Sequence, residues 1–182
     1  MKKLLCLFIC VGCCAATTFD LDSAKTEIKC SVNSTLHTVH GTFKLKRGSI
    51  ELDPDTGKAS GEIVIDLPSG ANVNGSRDKR MHKEILESQM YPEALFTPDH
   101  VDGHIAAQGT SEIDVHGDFR VHGADHELRL DFQVQANGGR YTGATHFAIP
   151  YVQRGLKNPS NFLLRVDDRV EVEVRAVASE KY

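Results

Sequence analysis

The sequence predicts an all-β fold, an antiparallel sandwich or closed barrel of eight or nine strands with one short helix. Three observations predict it. Apolar residues recur at every second position over most of the chain, short turns join the alternating stretches, and one segment shows helical spacing instead. The 182 residues contain no break in composition, so we expect one domain with a core of its own.

Successive side chains of a strand point to opposite faces, so the alternation indicates strands with one buried face. Stretches with this period begin at Ile28, Val39, Ile63, Ile113, Leu128, Tyr141 and Val170. Turns are predicted at residues 53–57 and 137–139, and the charged segment 46–48 predicts a hairpin. Several inward positions are small, and they indicate either room inside a barrel or bends in a curved sheet: Gly41, Gly117, Gly143 and Thr145.

Residues 77–88 carry the helical spacing, with Ser76 as the expected N-cap and Asp78 in the first turn. The apolar positions of this segment are Met81, Ile85 and Leu86. The helix should end before Tyr91, because the residue that precedes a proline avoids helical geometry. We expect it to lie across one opening of the barrel, either as a lid over a cavity or as a plug of an ordinary core.

The N-terminus predicts a cleaved signal peptide over residues 1–16, which leaves 17–182 as the barrel domain. Lys2 and Lys3 precede a short apolar stretch, and small residues follow up to Ala16. The alternative is a lipoprotein signal with lipidation at Cys13, although Cys10 stands where such signals normally have leucine. Either reading predicts a periplasmic or secreted protein.

Charge and cysteine content exclude several classes of protein. The formal net charge is −4, and lysine and arginine are scattered, so a nucleic-acid partner is not expected. Four of the five cysteines lie in the predicted signal peptide, and Cys30 alone remains. An internal disulfide is therefore excluded, and the alternation around Cys30 predicts a buried structural thiol.

Nine histidines suggest metal binding or catalysis, but their positions argue against both. Alternation places four of them on the outer face: His40, His116, His122 and His146. An outer wall offers no shielded site, and His116 and His122 would lie roughly 20 Å apart on one extended strand. We therefore predict no catalytic residue, no metal site and no cofactor. His37, inward or at the rim, and His82 on the helix are better placed for polar contact with a ligand.

Five segments carry a family resemblance. They are LDSAKTEIKCSV, HTVHGTFKLKRGSIELD, ANVNGSRDKRMHKEILESQMYPEALF, GDFRVHGADHELRLDFQV and FAIPYVQRGLKNPSNFLLRVDDRVEVEV. In this order and spacing they resemble the YceI-like family of polyisoprenoid-binding, lipocalin-like periplasmic proteins. Asp114-Val115-His116 departs from the usual leucine or threonine near the central hairpin. That change falls on the outer face.

The resemblance implies an extended lipocalin-like barrel whose lumen holds an isoprenoid chain or a similar fatty amphiphile. Apolar residues expected to line the lumen are Val39, Phe43, Ile63, Ile65, Met81, Leu86, Phe96, Phe119, Leu130, Phe132, Phe147 and Leu164. A polar head would need donors near the opening, and the candidates are Arg77, His82 and Arg154. Burying an apolar chain contributes about 25 cal/mol per Å² of apolar surface, less the conformational freedom that the chain loses.

Three functions follow. The first is a carrier or sequestering protein for the lipid, without enzymatic activity. The second is an enzyme that acts on isoprenoid or quinone substrates. The third is a stress-related interaction protein with a filled barrel, which requires an exposed apolar patch that the outward charges argue against. A homodimer and a transient membrane contact are further expectations that no residue pattern decides.

Overall fold

The computed structural model describes residues 16–181. Its strands are β1 (Thr17–Leu21), β2 (Glu27–Asn33), β3 (Thr38–Leu52), β4 (Ala59–Ala71), β5 (Glu93–Gly103), β6 (Gly109–Val121), β7 (Ala124–Asn137), β8 (Arg140–Ile149) and β9 (Val170–Lys181). Between β4 and β5, the helix α1 (Gly75–Arg80) continues into a π-helical turn (Met81–Ile85). The predicted signal peptide, apart from Ala16, and the predicted lipidation site Cys13 lie outside the described residues.

The strands form a closed antiparallel barrel, which decides between the two predicted architectures. Neighbours follow the order β3, β2, β9, β8, β7, β6, β5, β4, and the pairing of β4 with β3 closes the ring. β1 pairs with the far ends of β3 and β9, so β1 and β2 share one position in the wall. The wall therefore has eight positions, and the predicted all-β barrel with one short helix is confirmed.

The predicted hairpin at residues 46–48 is wrong. β3 continues through this segment, and its pairing with β4 shifts between Leu45 and Arg47. The shift moves the inward face from odd to even positions, so that Leu45 before it and Leu52 after it are both buried. A bulge interrupts alternation in the same way as a turn does, which is why the sequence suggested a turn here.

Two strands, β1 and β5, are not evident from the sequence pattern. β5 contains Pro98, and proline normally argues against an inner strand because it donates no hydrogen bond. Here Pro98 is fully buried, and the pairing of β5 with β6 shifts between Pro98 and His100. β1 has only five residues, too few for a period of two to be recognised.

The helix begins earlier than predicted. Asn74 is the N-cap in place of Ser76, because its side-chain oxygen accepts hydrogen bonds from the backbone N–H groups of Ser76 (3.1 Å) and Arg77 (3.2 Å). Asp78 does lie in the first turn, where its carboxylate also accepts from the Asn72 N–H (2.9 Å). The connection from β4 into the helix is therefore tied down at both residues.

The helix also ends earlier than residue 88. In the π-helical turn, the Leu86 N–H donates to the Met81 carbonyl at 2.9 Å. Glu87 then adopts a φ of +46°, in the left-handed region that ends helices. The wider turn directs Met81, Ile85 and Leu86 toward the barrel interior, where they pack against the cavity described below.

The two ends of the barrel differ. We call one end the mouth: it carries the helical segment, the β2–β3 turn (34–37) and the long β8–β9 connection (150–169). At the opposite, closed end the core is solid, with Leu52, Val101 and Ile113 buried. The rings of Phe19 and Tyr141 meet edge to face there, with centroids 5.0 Å apart.

Replacing Gly117 by alanine is expected to lower the free energy of unfolding by about 1–3 kcal/mol. A Cβ at this position would lie 2.8 Å from the Cα of Pro98 and closer still to the Thr97 carbonyl, and both belong to the β5 backbone. Gly117 thus permits the close approach of β5 to β6. Denaturant unfolding measures the loss. Gly75→Ala is the matched control, since no atom lies within 4 Å of its added Cβ, and equal losses in both variants would contradict the explanation.

Candidate functional site

An apolar cavity of about 310 Å³ occupies the mouth half of the barrel. All nine strands, the π-helical turn and the 150–169 connection contribute to its wall. The closed-end core residues Leu52, Val101 and Ile113 do not line it, so the cavity stops at that core. Its volume is at the lower end of the range for ligand sites, about 300–1,000 Å³.

Eleven of the twelve apolar residues that the sequence placed in the lumen do line this cavity. They are Val39, Phe43, Ile63, Ile65, Met81, Leu86, Phe96, Phe119, Leu130, Phe132 and Phe147. Alternation located eight of them, helical spacing located Met81 and Leu86, and the family resemblance located Phe96. Their contact with a ligand stays a prediction.

Leu164 does not line the cavity, and its predicted place there is wrong. It lies in the irregular 150–169 connection, where the alternation used for strands does not apply. The same connection instead supplies Tyr151, Leu156 and Val166, which the sequence analysis missed. The Tyr151 hydroxyl donates to the Asp167 carbonyl at 2.7 Å, and burial raises the pKa of Tyr151 to about 12. This bond holds the two ends of the connection together.

The pairing of β7 with β8 stops short of the mouth. Their hydrogen-bonded pairing runs only from Asn137 and Arg140 to Gln133 and Ala144, and toward the mouth the two strands separate. Phe132 covers part of this gap, and Gly143 leaves room for its ring, since a Cβ there would lie 3.2 Å from Phe132 Cδ1. The barrel therefore widens on the side where the cavity lies.

His82 anchors the helical segment over the cavity. Its Nε2 lies 2.8 Å from the Gly70 carbonyl, which can only accept, so Nε2 carries the proton. Its Nδ1 lies 3.1 Å from the Ser88 hydroxyl. Both ring nitrogens thus have protein partners, and His82 does not line the cavity. Gly70 also makes room for the Phe43 ring, because a Cβ at this position would collide with that ring.

The other two candidates for head-group contact lie at the mouth. Arg77 Nη2 is 3.1 Å from Nε2 of His37, so His37 lies at the rim and is exposed. The Arg154 guanidinium lies over the Phe119 ring, 5.7 Å from its centroid. Arg154 Nη1 is buried and has no hydrogen-bond partner among residues 16–181. Burial lowers the pKa of Arg154.

Among the polar side chains of the interior, His126 and Thr145 each have a buried atom without a partner in the described residues. The register of the β6–β7 hairpin pairs His126 with Phe119, which places both on the inner face, and His126 Nε2 is buried without a partner in the described chain. Thr145 lines the cavity, is 8% exposed, and its hydroxyl likewise has no partner within residues 16–181. The inward position of His126 could have been predicted from the sequence. The turn between Val121 and Ala124 sets the register of the hairpin, and this register pairs His126 with Phe119.

Of the four histidines predicted to face solvent, His40 and His146 are exposed. His116 keeps its outward place in the alternation but is half-buried, 3.5 Å from the Asp102 carboxylate. His122 is half-buried as well, and its Nε2 lies 2.7 Å from the Glu87 carboxylate. Its φ of +52° turns the side chain out of the strand alternation, which explains the error. Among residues 16–181, no three or more His, Cys, Asp or Glu side chains are placed to hold a metal ion.

A larger concave surface on the outside of the barrel has different chemistry. It encloses about 1350 Å³, is open to solvent and is lined largely by charged residues of β2 and β5–β9. Asp114 and Asp131 face each other there across β6 and β7. Arg129 holds the pKa of Asp114 low, whereas the hydrogen bond with Asp114 raises the pKa of Asp131. Such an open, hydrated surface does not suit an apolar ligand.

Within the described residues, no helix is long and apolar enough to cross a membrane. The sequence pattern of the YceI-like domain matches residues 19–178, from β1 to β9. The chain belongs to the YceI-like family. In this YceI-like chain the match includes the strands, the helical segment and the 150–169 connection that surround the cavity. Comparison with curated proteins gives no sequence match.

Solved structures support the family's fold for this YceI-like chain. BcnA of Burkholderia cenocepacia superimposes with a TM-score of 0.72 at 19% identity, covering 88% of this chain and 100% of BcnA. A polyisoprenoid-binding domain from Saccharophagus degradans, implicated in plant cell wall breakdown, gives 0.67 at 18%, covering 90% and 98%. The Campylobacter jejuni YCEI protein gives 0.63 at 16%, covering 78% and 85%. At these identities the likeness establishes the fold.

Alkylation of Cys30 is expected to be slow at neutral pH. Cys30 lines the cavity, and burial raises the pKa of its thiol to about 12. Because the thiolate reacts, the rate with N-ethylmaleimide should keep rising above about pH 8.5, where an ordinary thiol is already half ionised. Mass spectrometry of the alkylated protein gives the rate, with glutathione as control. A plateau at the same pH as glutathione would contradict the burial of Cys30.

Proposed function

We propose that this protein binds one long-chain isoprenoid, or a similar fatty amphiphile, inside the barrel and acts as a carrier or sequestering protein. The observation that carries the proposal is the apolar cavity, which a solid core stops at one end. An apolar tail inside it would leave water and gain about 0.8 kcal/mol for each buried CH₂ group. Strands that close on themselves expose no edge, so the wall can stay intact around a removable ligand.

The family adds support. A protein of the same fold from Saccharophagus degradans is a polyisoprenoid-binding domain, and its structure aligns over nearly all of both chains. The side chains that line the cavity here are almost all aliphatic or aromatic, which suits a branched hydrocarbon better than a sugar or a peptide. The shared fold and the apolar lining therefore favour the same class of ligand.

The direction of binding follows from where polar groups lie. The closed end offers only a packed apolar core, whereas the mouth carries Arg77, Arg154 and His37. We therefore place the tail toward the closed end and the head at the mouth. Arg154 is the best donor for an anionic or carbonyl head, because its Nη1 is buried and has no partner within residues 16–181.

A role without catalysis is part of the proposal. The ring nitrogens of His82 contact Gly70 and Ser88, and His82 does not line the cavity, so it positions the helical segment and does not reach the ligand. The paired carboxylates Asp114 and Asp131 lie on the open outer surface, away from the cavity. The alternative, an enzyme of isoprenoid or quinone substrates, would require an inward polar cluster that supplies acid and base.

We further infer that the protein is exported, to the periplasm or beyond, and meets membranes transiently to collect or deliver its lipid. The basis is the N-terminal pattern of Lys2, Lys3 and the apolar stretch that ends before Ala16. A homodimer and a role in stress responses are further expectations from the family resemblance.

The mass of the mature protein purified from its host is expected to correspond to cleavage after Ala16, with Thr17 as first residue. Intact-mass spectrometry measures it. A protein that begins at Cys13 and carries added acyl mass would instead establish the lipoprotein alternative. An unprocessed chain would contradict export through a cleaved signal.

Replacing Ala176 by phenylalanine is expected to weaken lipid binding about tenfold or more. Ala176 lines the cavity, and the added ring would displace at least two methylene groups of the ligand at about 0.8 kcal/mol each. Native mass spectrometry with a long-chain polyprenol measures the bound fraction, and organic extraction of the purified wild-type protein identifies its own lipid.

The matched control is Ala144→Phe, the same change on the outer face of the neighbouring strand. It should bind as the wild type does. Thermal unfolding verifies that both variants are folded. Equal binding by the wild type and Ala176→Phe, or a wild-type protein that carries and accepts no lipid, would overturn the proposed function.

A further inference from the structure

The exposed apolar side chains of this protein lie at one end. The six large apolar residues that are exposed within residues 16–181 all belong to the mouth or its immediate surroundings: Leu36, Val73, Met90, Val152, Phe162 and Leu163. Phe162 is 101% and Leu163 85% exposed. The charged strand faces do exclude an apolar patch on the wall, as the sequence predicted, but the loops of the mouth supply exposed apolar residues that the prediction did not consider.

These loops are bonded to one another around the opening. The Thr35 N–H donates to the Arg165 carbonyl at 3.0 Å, which joins the β2–β3 turn to the 150–169 connection. Arg80 Nη2 donates to the Pro159 carbonyl at 3.4 Å, and Arg77 contacts His37, so the helical segment contacts both. The exposed apolar residues therefore stand on one connected frame.

The same frame forms the roof of the cavity. Met81 of the helical segment, Val39 beside the β2–β3 turn, and Leu156 and Val166 of the connection all line the cavity from the mouth side. Each segment thus has one apolar side toward the cavity and one toward solvent. We call the six exposed residues the apolar rim. A surface that docks on the apolar rim would face the entrance of the cavity directly.

The charge of the mouth is opposite to that of the chain. Residues 34–37, 72–91 and 150–169 contain eight Lys and Arg against five Asp and Glu, a net charge of +3, whereas the whole chain carries −4. Lys79 and Lys157 are exposed there. Basic residues beside exposed apolar side chains are the combination that binds anionic lipid surfaces, with about 1 kcal/mol for each basic residue near the surface.

We propose that the mouth is a membrane-docking face, which inserts the apolar rim among the head groups of an anionic bilayer. This inference deepens the proposed function, because docking would place the opening of the cavity against the bilayer that holds the lipid. Phe162 and Leu163 are adjacent and insert as one apolar pair, since they are 101% and 85% exposed, and Val73, 102% exposed, inserts beside them. The basic residues contact the anionic head groups around them, so docking weakens as salt screens these charges.

Vesicle flotation tests the docking face with the protein purified from its host. The vesicles contain phosphatidylethanolamine and phosphatidylglycerol and no isoprenoid. The wild type should float with them and bind phosphatidylcholine vesicles more weakly. Phe162→Ser combined with Leu163→Ser should lower binding about tenfold or more, because two apolar side chains no longer leave water. Lys79→Glu combined with Lys157→Glu should lower it at least as much, and most strongly at low salt.

The matched control for the charge variant is Lys58→Glu combined with Arg140→Glu, which makes the same change in net charge at the closed end. It should float as the wild type does. Circular dichroism and thermal unfolding verify that each variant is folded, which is expected because all substituted residues are exposed. Equal flotation of the wild type and both mouth variants, or equal losses in the mouth and closed-end charge variants, would overturn the proposal.

Two measurements distinguish membrane docking from lipid loading and from dimerisation. Native mass spectrometry after addition of polyprenol without a membrane measures lipid loading alone. Loading without flotation would overturn membrane docking and leave the proposed function intact. Flotation without loading would overturn the proposed function and leave membrane docking intact. Native mass spectrometry without vesicles measures assembly. A wild-type dimer that the Phe162 and Leu163 substitutions convert to a monomer, together with no flotation, would assign the apolar rim to a second copy and overturn membrane docking.

Discussion

The cavity depends on how the ring of strands closes. Hydrogen bonds between β3 and β4 complete the barrel, so the circumference is set by eight strand positions and cannot shrink around a small interior. At the closed end the inward side chains, including Phe19 and Tyr141, fill this width. Toward the mouth β7 and β8 separate, and the width exceeds what the side chains occupy. An apolar space therefore forms in one half of the barrel and not in the other.

The structure that covers the cavity is held by different forces from the wall. The wall is held by ladders of backbone hydrogen bonds between neighbouring strands, whereas the helical segment has single polar contacts, such as His82 to Gly70 and Arg80 to Pro159. Single, partly exposed hydrogen bonds contribute about 1 kcal/mol each. The packing of Met81, Ile85 and Leu86 against the cavity adds apolar contacts to them.

The same arrangement concentrates polar and apolar functions at the mouth. Arg154 brings a cation next to the apolar ring of Phe119 just inside the opening, while Phe162 and Leu163 expose apolar surface just outside it. Inside the opening, the cation of Arg154 followed by the apolar cavity matches the head followed by the tail of the proposed ligand.

The sequence alone determined most of the wall. Alternation identified the inward residues of β6, β7 and β9, and most of the cavity lining with them, because a half-buried strand imposes its period on local sequence. Helical spacing likewise located Met81 and Leu86. Strand alternation and helical spacing are local properties, because each depends on a few neighbouring residues.

Only the tertiary structure decided the rest. The bulge at residue 46 resembled a turn, Pro98 concealed β5, and Leu164 was placed in the lumen where Leu156 and Val166 lie instead. Each error falls where a residue's position is set by contact with a distant strand and not by its neighbours in the chain. Whether the inward side chains would meet or leave a cavity was beyond the sequence for the same reason: the width of the barrel is a property of the closed ring.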